Sequence, residues 1–68
     1  MKYAVIIEKT ESGFSAYAPD LPGCVSAGDS LDETERNIRE AVLFHIEGMR
    51  EDGLAIPAPS TLCEYIEA

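Results

Sequence analysis

The sequence predicts an α+β fold in the order β-β-β-α-β, an antiparallel-rich sheet with one long helix on one face. Three observations predict it. Residues 2–8 and 14–18 alternate in the two-residue period of a strand. Residues 31–52 carry apolar side chains at helical spacing behind a capping signal. Residues 61–66 resume a strand-like pattern after a proline-rich break.

The first strand sets Tyr3, Val5 and Ile7 against Ala4, Ile6 and Glu8, with β-branched residues at its centre. Thr10-Glu11-Ser12-Gly13 has the chemistry of a hairpin turn, so Phe14–Ala18 pairs back antiparallel. Pro19-Asp20-Leu21-Pro22-Gly23 cannot continue a strand, because two prolines remove donors and fix φ; it reads as a loop. Cys24–Ala27 is a short third strand, stopped by Gly28.

The helix begins at a capping box, Ser30-Leu31-Asp32-Glu33. The serine oxygen should accept the third backbone N–H, and Glu33 should reach back to the serine N–H. Leu31, Thr34, Ile38, Ala41, Val42, His45, Ile46 and Met49 form one stripe, while Asp32 with Arg36 and Glu35 with Arg39 are i,i+4 pairs. Gly53 suits the left-handed position just past the end. Residues 31–52 would span ~33 Å at about 1.5 Å per residue. Leu54–Pro59 reads as an extended connector, and Thr61–Ile66 as a last strand.

The 68 residues make one domain, residues 1–68. A chain this short, with two cysteines and no zinc spacing, often completes its stability by self-association. One helix covers one face of a sheet, and the first strand is apolar on both. A homo-oligomer, most simply a dimer, is therefore expected. Tyr3, Val5 and Ile7 are candidate contact residues.

Five basic residues against thirteen acidic ones give a net charge of −8, which opposes nucleic acid and anionic lipid and favours a basic protein partner. Disorder is excluded by the 46% hydrophobic content in periodic runs. The apolar stretch at the amino terminus is too short for a signal peptide or a membrane span. The cytoplasm is the expected compartment, with Cys24 and Cys63 as reduced thiols.

No complete catalytic constellation, metal cluster or phosphate loop is legible, and no cofactor is expected. His45 lies on the apolar stripe, and no cation adjoins Cys24 to lower its pKa. Paired-carboxylate chemistry needs acids converging from different elements, and the centre of the first strand supplies none. Two features stand out. Leu43 and Phe44 point away from the stripe, either covered by the Pro57–Pro59 connector or free to touch a partner. The helix also carries an acid excess, in which Glu40, Glu47 and Glu51 are candidate contacts for a basic partner.

Several segments carry a family resemblance. Met1-Lys2-Tyr3 opening an apolar strand, Glu11-Ser12-Gly13-Phe14, Pro19-Asp20-Leu21-Pro22-Gly23-Cys24, Gly28-Asp29-Ser30-Leu31 and Arg50-Glu51-Asp52-Gly53 before Ile56-Pro57-Ala58-Pro59 together resemble the HicB-like antitoxins of type II toxin–antitoxin systems. The likeness covers nearly the whole chain, and the Pro-Asp-Leu-Pro-Gly-Cys segment is its most specific part. The resemblance implies a β-β-β-α-β domain of degraded ribonuclease-H-like shape. It also implies a partner, a small basic ribonuclease toxin of the HicA type that the antitoxin binds and neutralises. Many such antitoxins add a DNA-binding segment; here the short form is expected, without direct nucleic acid binding. Two alternatives stay open: an orphan structural or regulatory homo-oligomer, and, more remotely, a metal-dependent nuclease.

Overall fold

The computed structural model describes residues 1–68. Three strands precede one helix: β1 (Ile6–Lys9), β2 (Phe14–Tyr17), β3 (Val25–Gly28) and α1 (Leu31–Glu51). The sheet is antiparallel in the order β1-β2-β3, so each strand pairs with its neighbour in sequence. Ile7 lies opposite Ala16, and Ala16 opposite Ser26, on the face that meets α1. Ile6, Tyr17 and Val25 form a row on the other face, where Tyr17 and Val25 are exposed.

β1 is shorter than residues 2–8 and is displaced towards the turn. The register explains this. Ile6 pairs with Tyr17, and the Ala18 N–H points to the β3 side, where it donates to the Cys24 carbonyl at 3.1 Å, so the next bond from β2 towards the first segment would have to come from Pro19, which has no N–H. The chain then turns through Pro19–Pro22, and nothing continues the ladder beside Met1–Val5. At the other end the hairpin closes through Thr10 N–H to the Gly13 carbonyl at 2.8 Å.

A second correction concerns the fourth strand expected at Thr61–Ile66. No strand forms there, because the segment has no strand of its own chain beside it to complete a ladder. The observed order is β-β-β-α, and a three-stranded sheet does not by itself establish the ribonuclease-H-like comparison.

α1 starts at Ser30, whose extended backbone (φ −132°, ψ 164°) and Oγ, accepting from Glu33 N–H at 3.1 Å, make it the N-cap. The Glu33 carboxylate accepts from Asp29 N–H at 2.6 Å rather than from Ser30, so the reciprocal bond lies one residue earlier than expected. Thr34 is fully buried, and its hydroxyl donates to the Ser30 carbonyl at 2.7 Å. A Cβ on Gly28 would come within 2.7 Å of that hydroxyl oxygen, so glycine is what lets β3 run directly into the cap. At the far end Gly53 adopts φ 70°. Its N–H donates to Arg50, and Leu54 N–H donates to Met49, the paired bonds of a Schellman stop. Of the two expected ion pairs on α1, Glu35–Arg39 forms at 3.3 Å on the surface and Asp32–Arg36 does not. An exposed pair of this kind contributes at most ~1 kcal/mol.

The core lies between α1 and the sheet and consists of Ala16, Ala18, Leu21, Cys24 and Ile38, flanked by Tyr3, Val5, Ile7, Ala41, Val42 and Ile46. Leu21 sits in a loop yet is 0% exposed. The turn holds it in place: Leu21 N–H donates to Ala18, and Cys24 N–H donates to Leu21. The flanking prolines need no donors there, so the proline-rich sequence lets a loop leucine plug the end of the core.

Candidate partner surface on the outer face of α1

Positions 40, 43, 44 and 47 are spaced i, i+3, i+4 and i+7, which gathers them on one face of a helix. Thr34 and Ile38 anchor the opposite side in the core, so this face is turned to solvent. Leu43 is 63% exposed and Phe44 80%. Glu40 and Glu47 flank them, and neither makes an ion pair. Ser26, from β3, and Asn37 complete an open hollow of about 600 Å³ beside this cluster. Asn37 is itself held, its amide donating to the Ala27 carbonyl at 2.8 Å, which fixes α1 against β3 at that point. The Leu54–Pro59 connector does not cover Leu43 and Phe44, since it runs elsewhere, with Tyr3 Oη donating to the Pro57 carbonyl.

The surface therefore presents two large apolar side chains between two carboxylates. Such a patch can bury apolar area against a partner while the acids attract its cations. His45, the single histidine of the chain, is half-buried and does not line the hollow.

Of the eight candidate contact residues, Glu40, Leu43, Phe44 and Glu47 converge. Glu51 is exposed at the last turn of α1, one turn beyond Glu47 and outside the hollow. Ile7 lies on the helix-facing side of the sheet and Tyr3 and Val5 precede β1; all three are half-buried against the core. Leu43 joins the two sets, since it also borders a groove containing Tyr3 and Val5.

A match to a family model decides the kinship. Described as the HicB_like antitoxin of bacterial toxin-antitoxin system, that model matches residues 3–68. The chain belongs to this family.

Other members of the HicB-like group and their relatives are similar over most of its length. An uncharacterised 14.9 kDa protein of Haemophilus phage HP1 is 47% identical over 66 residues, 97% of this chain and 50% of that protein. Antitoxin HicB 2 of Photorhabdus laumondii is 33% identical over 90% of this chain and 44% of its own length. The chain thus spans about half the length of these two relatives. Among solved structures, a HicA3 and HicB3 toxin–antitoxin complex superposes with a TM-score of 0.75 at 37% identity, covering 87% of this chain and 69% of the matched one. The HicB3 antitoxin crystal structure superposes with a TM-score of 0.70 at 38% identity, covering 84% of this chain and 42% of the other.

Sequence reasoning missed one polar centre. The Asp20 carboxylate accepts from Ser60 and Thr61 four times, from both backbone N–H groups at 2.9 and 3.0 Å and from both hydroxyls at 3.1 and 2.7 Å. These bonds, led by those from the Thr61 and Ser60 backbone, hold its pKa down to about 2. The signal was present as an aspartate between two prolines, but its partners lie forty residues away. Asp20 is a structural clamp for the connector. Cys24 is buried, and desolvation raises its pKa, as suits an inert core thiol.

Proposed function

We infer that this HicB-like chain is an antitoxin that binds and neutralises a small basic ribonuclease toxin of the HicA type, and that the outer face of α1 is the contact. The observation that carries this reading is Phe44, 80% exposed beside Leu43 with Glu40 and Glu47 on either side. A large aromatic centred among acids suits a partner that presents an apolar socket within a basic surface. Family membership supports it, as does the likeness to a chain of a HicA3 and HicB3 toxin–antitoxin complex and to the HicB3 antitoxin. The net charge of −8 would draw in the cationic toxin and oppose its competitor, RNA. On this reading the chain neither cleaves RNA nor binds duplex DNA, and it acts in the cytoplasm.

Titration against the basic product of the neighbouring reading frame is the test. Phe44→Ala should weaken binding by ~2 kcal/mol, the size of an interface anchor, without lowering the melting temperature. Reversing Glu40, Glu47 and Glu51 together to Lys should slow association most at low salt. Unchanged affinity in both variants would reject the surface. Magnesium- or manganese-dependent cleavage of RNA by the purified chain would reject the antitoxin reading in favour of a nuclease.

A specific observation also favours self-association: Leu62, Tyr65 and Ile66 are large, apolar and exposed. The antitoxin is accordingly inferred to be a homo-oligomer. An orphan oligomer without a toxin remains the reading to adopt if no basic partner binds.

A further inference from the structure

Met1–Val5 and α1 border an open groove of about 410 Å³. Tyr3 and Val5 line one side, and Val42, Leu43 and Ile46 the other. Its rim is charged. Arg39 there is paired with Glu35, while Arg50 makes no ion pair. Only five basic residues exist in the chain, and two of them border this groove.

The carboxyl-terminal segment has the complementary chemistry. Leu62, Tyr65 and Ile66 are 89%, 95% and 84% exposed, the least covered large apolar side chains in the protein. Glu64 and Glu67 stand among them, opposite in sign to Arg39 and Arg50.

We propose that the groove takes the Leu62–Ile66 segment of a second copy of this chain, each copy giving its segment to the other. The proposal rests on the self-association part of the functional reading; it shares Leu43 with the proposed toxin contact but not Glu40, Phe44 or Glu47. Three arguments carry it. First, the apolar groove and the apolar segment are both exposed in the single chain, and both become covered when one occupies the other. Second, the charges match: Glu64 and Glu67 approach a rim that holds Arg50 without a partner. Third, the chain's own connector is already fixed. Tyr3 Oη holds the Pro57 carbonyl and Asp20 holds Ser60 and Thr61, so the segment leaves the domain at Thr61 and lies in solvent.

Reciprocal exchange gives a closed two-fold pair. An aromatic side chain alone brings ~150–250 Å². Two segments with three large side chains each, and the walls they cover, reach the order of the ~1,200–2,000 Å² buried in a stable interface. Met1–Val5 lies outside the ladder, so its backbone is also available to an added extended segment.

The full chain is tested by light scattering and by cross-linking. Wild type should have twice the 7.4 kDa chain mass at micromolar concentration. Leu62→Ser with Ile66→Ser should weaken the dimer by at least roughly tenfold, with the helical circular dichroism unchanged. In an Arg50→Cys variant, mild oxidation should link position 50 of one copy to native Cys63 of the other, identified by mass spectrometry of the joined peptides in a dimer band. The cross-link requires no destabilising change in the segment, so it decides the matter if the double variant misfolds. A monomeric wild type would overturn both this proposal and the self-association reading. A dimer indifferent to the double variant, or with no link between positions 50 and 63, would overturn this proposal alone. So would a 50–63 link confined to monomers, which would put the segment in its own groove.

Discussion

Residues 6–53 and residues 54–68 draw on similar side chains but are held by different forces. The first stretch folds on itself: ladders join β1, β2 and β3, and α1 buries Thr34 and Ile38 against them. The second is fastened at two points, by Tyr3 at Pro57 and by Asp20 at Ser60 and Thr61, and its apolar side chains stay in water. Strand-like sequence at 61–66 was not enough to make a strand. A strand exists only where a partner supplies the other half of its hydrogen bonds, whereas a helix closes its bonds within its own segment.

The contrast can be broken most forcefully in the core. Ile38→Ala should destabilise the body by ~2–5 kcal/mol, the cost of a cavity under α1, measured by urea unfolding followed by helical circular dichroism. A loss below ~1 kcal/mol would mean that α1 is not packed as described. Next comes the cap. Ser30→Ala should cost about 1 kcal/mol, since Glu33 N–H loses its acceptor, and the thermal midpoint should fall accordingly. An unchanged midpoint would place the helix start elsewhere.

The smallest effect sharpens the boundary between the two stretches. Asp20 has a folded pKa of about 2 against an ordinary 3.8, so its charged form is favoured by folding. The clamp is fully present above 3.8 and is lost as pH falls through about 2. Amide exchange at Ser60 and Thr61 should therefore speed up relative to the α1 amides across that window. Asp20→Asn should show the faster exchange already at neutral pH and little change on acidification. Equal acid sensitivity in both proteins would assign the effect to another carboxylate.

What was legible in the sequence follows the same division. The helix was readable to within a residue because its signals are local: Ser30 before it, a stripe through Ile38 and Val42, and Gly53 after it. β2 was readable from short alternation, and β3 was too except at its end, since Gly28 belongs to the strand instead of stopping it. The start of β1 was not, because it depends on a register that leaves Pro19, which lacks an N–H, where β2 would next bond it. Leu21 and Asp20 were read only as loop, since burial of a loop leucine and a bond across forty residues leave no periodic trace. Leu43 with Phe44, and the helix acids Glu40, Glu47 and Glu51, were read from the sequence as two separate features and not as one cluster. Whether the connector covered Leu43 and Phe44 was not legible, because that depends on where Tyr3 and Asp20 direct the chain.

The pairing of each strand with its immediate successor has a kinetic consequence. Every ladder in the sheet joins segments separated by one short connection, and α1 packs back on the β2–β3 hairpin that immediately precedes it. Closing such short loops takes little chain entropy, and topologies of this kind avoid the slow search that distant strand pairings impose. The body can thus assemble from its own local encounters, presenting Phe44 without waiting for residues 54–68 to find their place.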